Sequence, residues 1–106
     1  MTAAVKAQEP SALAHQFRAL AAQWKADTAL VSSTSAMIAH PAYQAIIALG
    51  PAVVPLLLHD LQQEPAHWFE ALQVVTGEDP VPPEDWGRIP QMTAAWLTWG
   101  RARRLI

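Results

Sequence analysis

Apolar residues recur along this chain at helical spacing. Leu13, Phe17, Leu20 and Trp24 follow one another at intervals of four, three and four, while His15, Gln16, Gln23 and Lys25 fall off that line. This is one stripe of an amphipathic helix. Pro10 and Ser11 precede it as a start signal, with Ser11 suited to cap the first free N–H groups. The pattern therefore predicts a helix over 11–27 behind an aperiodic, mobile tail over 1–9. A run of hydroxyl residues, Ser32 to Ser35, then interrupts the helical pattern, because such side chains compete for backbone hydrogen bonds. Ser35 is the expected cap of a short turn through Met37 and Ile38. Pro41 suits the first position of a new helix, which Gly50 is expected to stop.

Beyond Gly50 the stripe resumes as Val54, Leu57, Leu58 and Leu61, with Pro55 tolerated because it falls in the first turn. Glu64 and Pro65 should end that helix. Ala66 or His67 should open the next, with Trp68, Phe69, Leu72 and Val75 facing inward and Thr76-Gly77 closing it. Pro80, Pro82 and Pro83 make 77–87 an acidic, stiff, extended connector ending in a turn at Asp85-Trp86-Gly87. A last helix, about 90–104, carries Met92, Ala95 or Trp96, and Trp99 on its stripe. The β-branched pairs Ile46-Ile47, Val53-Val54 and Val74-Val75 all sit inside helical patterns. The expected fold is all-α: a compact bundle of about five helices, residues 10–106 forming one domain.

The middle of the chain bears a family likeness. Ile47-Ala48-Leu49-Gly50-Pro51-Ala52-Val53-Val54-Pro55-Leu56-Leu57, then Asp60-Leu61, then Trp68-Phe69-Glu70-Ala71-Leu72 resemble a bacterial HEAT-like helical repeat over Ile46 to Gly77. One extra residue separates Gly50 from the Val-Pro pair. A single copy implies one helical hairpin rather than a solenoid, which needs stacked neighbours to bury its faces. The chain at large, through Trp24, Ser33-Thr34-Ser35, Met37, His40-Pro41-Ala42-Tyr43-Gln44, Trp68-Phe69, Thr76 to Pro82, and Trp96-Leu97 with Trp99-Gly100, is also similar to a family of small bacterial proteins of uncharacterised function. That resemblance transfers no catalytic residue.

Composition narrows the chemistry. The 106 residues contain no cysteine, which excludes disulfides, thiolate nucleophiles and Cys-ligated zinc and fits the cytoplasm. The longest apolar run, 45–58, is broken by Gly50, Pro51 and Pro55, so no membrane span is expected. His40, His59 and His67 lack the spacing of a metal site, and no cofactor is expected. His40 is expected to donate to a loop carbonyl. No glycine elbow presents a serine as a nucleophile, and the chain reads as a non-enzyme.

Charge and aromatics point elsewhere. The net charge is −2, with only acids over 61–87 and only arginines from Arg88 onward. Such blocks either pair within the fold or steer a partner. Five tryptophans are many for so short a chain, and Val53, Leu56 and Leu97 lie off the main stripes, as residues on a second, partner-facing row would. The reading is a protein–protein interaction module, an adaptor or accessory subunit of a bacterial complex, with contacts through Trp68, Trp86, Trp99, Arg101 and Arg104. Two alternatives stand beside it. One is an antitoxin or inhibitor that caps a partner enzyme with the acidic loop. The other is a nucleic-acid accessory using Trp96, Trp99, Arg101, Arg103 and Arg104, although a negative chain with three clustered bases makes few phosphate contacts. Self-association is left open.

Overall fold

The computed structural model describes residues 2–64 and 66–106, with side chains from Ala12 onward. It is all-α, with six α-helices and no strand among the described residues. In order these are α1 (Thr2–Asp27), α2 (Thr34–Ala39), α3 (Pro41–Ala48), α4 (Val54–Gln63), α5 (Phe69–Thr76) and α6 (Ile89–Ala102), with 3-10 turns at Pro51–Val53 and Pro83–Asp85. They divide into two units, Met1–Leu49 and Gly50–Ile106. That division falls inside 46–77, the stretch expected to form one helical hairpin, so α3 belongs to the first unit while α4 and α5 belong to the second.

In the first unit α1 packs on α3. Phe17, Ala21 and Trp24 of α1 and Ala42, Tyr43 and Ile46 of α3 are buried. The Trp24 and Tyr43 rings lie 5.2 Å apart at a tilt of 50°, and the Trp24 indole N–H donates to the Met37 carbonyl at 2.8 Å. α1 begins at Thr2 rather than at Ser11. Pro10 therefore lies within α1 and not ahead of it. Met1 and the Ser11 hydroxyl lie outside the described atoms. The cap of α2 is Ser33, not Ser35: its Oγ accepts from the Ala36 N–H at 3.2 Å.

His40 caps α3. Its Nδ1 accepts from the Ala42 N–H at 3.0 Å, which places the ring proton on Nε2, 2.9 Å from Asp27 Oδ2. The expected donation to a loop carbonyl is therefore corrected to an acceptor role at one nitrogen and a carboxylate partner at the other. The hydroxyl run gains no base from this arrangement, since both ring nitrogens are engaged.

In the second unit α4 packs against α5 and α6. Val54, Leu57, Leu58 and Leu61 are buried, as the stripe requires, and removing each of these side chains from water contributes about 2 kcal/mol. Gly50 follows the α3 C-cap Leu49 with φ 82 and ψ −166; the positive φ suits glycine, but the ψ lies outside the left-handed helical region, and the residue serves as the N-cap of the first 3-10 turn. Gly77 does close α5 in the left-handed region, with φ 72 and ψ 13 and its N–H donating to the Gln73 carbonyl at 2.8 Å. α5 starts at Phe69, three residues later than expected from Ala66; Pro65 lies outside the described residues. Val53 is fully buried. It faces the core from the 3-10 turn, whose tighter winding rotates it off the α-helical stripe, so it is no part of a partner-facing row. Gly100 brings α6 close to α4: a Cβ there would fall 2.6 Å from Leu58 Cδ1.

Candidate interaction surface

The acidic proline-rich segment folds back through tight turns instead of running extended. The Thr76 hydroxyl donates to the Leu72 carbonyl at 2.7 Å and accepts from the Glu78 N–H at 3.1 Å. Asp79 Oδ1 accepts from the Val81 N–H at 3.1 Å, an Asx turn that buries Val81. Pro82 then opens the 3-10 turn, closed by the Asp85 N–H on the Pro82 carbonyl at 2.9 Å. Short polar side chains at 76 and 79 supply partners to backbone groups that a proline-rich stretch cannot pair by itself.

One carboxylate fastens this segment to α6. Glu78 Oε1 accepts from the Trp99 indole N–H at 3.2 Å and from the Arg103 guanidinium at 2.9 Å. Arg103 also lies over the Trp99 ring, 4.4 Å from its centroid, and Trp96 meets Trp99 edge-on at 5.2 Å. Cation, ring and carboxylate thus share three mutual contacts. Acidic and basic blocks pair here within the fold; Asp85 and Arg88 approach more loosely, at 3.8 Å.

The five expected contact residues are placed differently from one another. Trp68 is fully buried, and its N–H donates to Asp60 Oδ2 at 2.7 Å. This corrects its assignment to a contact surface: the ring is core, held by a carboxylate one helix away. Trp99 is only 9% exposed and presents little more than an edge. Trp86 is 60% exposed, with its N–H fixed on the Val81 carbonyl at 3.2 Å. Arg101 and Arg104 are exposed, and neither makes an ion pair among the described residues. Glu78 and Arg103, which organise this region, are not among those five; Arg103 figures only in the nucleic-acid alternative, and Glu78 in no set of contact residues. The two Glu78 contacts bridge 21 and 25 residues of chain, separations that leave no mark on local periodicity.

Two open depressions flank Trp99. One, of about 510 Å³, has a floor of Gln91, Ala94, Ala95, Thr98 and Ala102 and a wall of Pro80 and Asp85. The other, of about 590 Å³, lies among Pro51, Val54, Pro55, Val75 and Leu105. Both are mainly apolar. Among the described residues no group of three or more His, Asp or Glu is placed to hold a metal ion, and no single helix is long and apolar enough to cross a membrane. Comparison with protein-family models, with curated proteins and with solved structures finds no match.

Proposed function

We propose that this chain is a non-catalytic protein-interaction module, an adaptor or accessory subunit working in the cytoplasm, and that its second unit carries the binding surface. The observation that carries this reading is Trp86. The residue is 60% exposed, yet its indole N–H is already bound to the Val81 carbonyl. Tryptophan is enriched among the few residues that dominate interface energetics, and a ring already held in place loses little freedom when it is covered. The grooves beside Trp99 and the exposed Arg101 and Arg104 add apolar area and charge at the same end of the chain. In this reading the HEAT-like stretch supplies scaffold, with α4 and α5 as the hairpin.

The test is Trp86→Ala in the cell of origin. The variant should keep its helicity and lose most of its co-purifying partner. A variant that retains the partner in full removes Trp86 from the interface and with it the main support for this reading.

A further inference from the structure

We infer that the groove along α6 receives one amphipathic helix of a partner protein, lying antiparallel to α6. This deepens the interaction reading above and rests on it. The floor residues Gln91, Ala94, Ala95, Thr98 and Ala102 occupy successive turns of one helix face. From 91 to 102 they span about 16 Å, the length of three helical turns. Three of the five are alanines, and short side chains let a second helix axis come within about 8 Å, the near end of the helix-packing range. Pro80 and Asp85 wall one side, and Glu78 anchors that wall to Trp99 and Arg103.

The charges at the two ends select the occupant and its direction. At the N-terminal end of α6 stand Asp85, which lines the groove and lies 3.8 Å from the exposed Arg88, and Glu84, exposed and without an ion pair among the described residues, so that this end keeps a net negative charge. At the other end stands Arg101, exposed and likewise unpaired among the described residues, beside Ala102. Helices are stabilised by acids in the first turn and bases in the last. Laid antiparallel, such a helix brings its basic end to Asp85 and Glu84 and its acidic start to Arg101. Laid parallel, it sets like charges against each other at both ends. The partner segment is thus a helix of about three turns, apolar along one stripe, acidic at its start and basic at its end.

Photo-cross-linking in the cell of origin tests this. The cross-linking residue p-benzoylphenylalanine is placed separately at Gln91, at Ala102 and, as a reference for the interface at large, at Trp86. The cross-linked partner peptides are then sequenced. Position 91 should capture the basic end of a helical segment and position 102 its acidic start. The double charge reversal Asp85→Lys with Arg101→Glu, checked for unchanged helicity, should lower capture at both positions about tenfold or more. Capture in the opposite polarity, capture of a non-helical segment, or indifference to the charge reversal overturns the inference. Cross-links from position 86 without any from 91 or 102 also overturn it, while leaving the interaction reading in place. Absence of cross-links from all three sinks both.

Discussion

Gly100 lies inside α6, where alanine is ordinarily favoured over glycine by about 1 kcal/mol. Packing reverses the expectation. An added methyl would sit 2.6 Å from Leu58 Cδ1 and 3.3 Å from Ile106 Cγ1. Ile106 is partly exposed and can yield, but Leu58 is fully buried and has nowhere to swing. Relieving the overlap requires roughly 1 Å of movement between α4 and α6 or an off-rotamer leucine, the kind of overpacking that costs about 1–3 kcal/mol. Set against the propensity gain, Gly100→Ala should destabilise by about 1 kcal/mol. Urea unfolding followed by tryptophan fluorescence measures it, since Trp68, Trp86, Trp96 and Trp99 all report on the second unit. The double mutant with Leu58→Ala separates the causes. Leu58→Ala alone should cost about 2–5 kcal/mol through its cavity. The methyl added at position 100 should recover part of that by filling the space, giving a favourable coupling of about 1 kcal/mol. A Gly100→Ala protein more stable than the parent, or strictly additive effects, refutes the close approach of α6 to α4.

Other expectations follow from single contacts. Trp68→Phe should cost about 1–2 kcal/mol more than Trp96→Phe by chemical denaturation: the first strips Asp60 of its indole donor, whereas the Trp96 Nε1 is buried with no hydrogen-bond partner among the described residues. Equal losses would contradict that difference. Glu78→Gln should be nearly neutral, because an amide oxygen still accepts from Trp99 and the lost pair with Arg103 is exposed; Glu78→Ala should cost about 1 kcal/mol and make the 78–88 segment more sensitive to limited proteolysis. His40→Ala should lower stability by about 1 kcal/mol through loss of the α3 cap, and His40→Asn, which keeps a capping oxygen, should recover most of it when thermal midpoints are compared.

Helix stripes were easy to read because burial imposes a period of 3.6 on apolar positions. Val54, Leu57, Leu58 and Leu61 follow that rule, as do Phe17 and Trp24, and all six are buried. Boundaries were harder. Ser33 and Ser35 carry the same hydroxyl, and only the backbone decides which one caps α2. Proline at position 10 reads as a helix start, yet α1 already begins at Thr2. The candidate surface was the least legible part. Trp68 and Trp86 are the same residue type with opposite exposure, and each has its indole proton taken, by a carboxylate in one case and a carbonyl in the other. Glu78 stands 25 residues from Arg103, a distance at which no local pattern operates.

The proline-rich segment also bears on how tightly anything can bind here. Pro80, Pro82 and Pro83 have their φ angles fixed by their rings before any partner arrives. The Asx turn at Asp79 and the hold of Glu78 on α6 restrict the residues between them and Trp86 still further. Ordering a loose loop on association takes about 0.5–1.5 kcal/mol for each immobilised side chain. If Trp86 is covered by a partner, as proposed, that partner meets a loop already ordered by its own turns, so affinity there should be set by the contacts themselves and should change little with the length or flexibility of the segment that carries them.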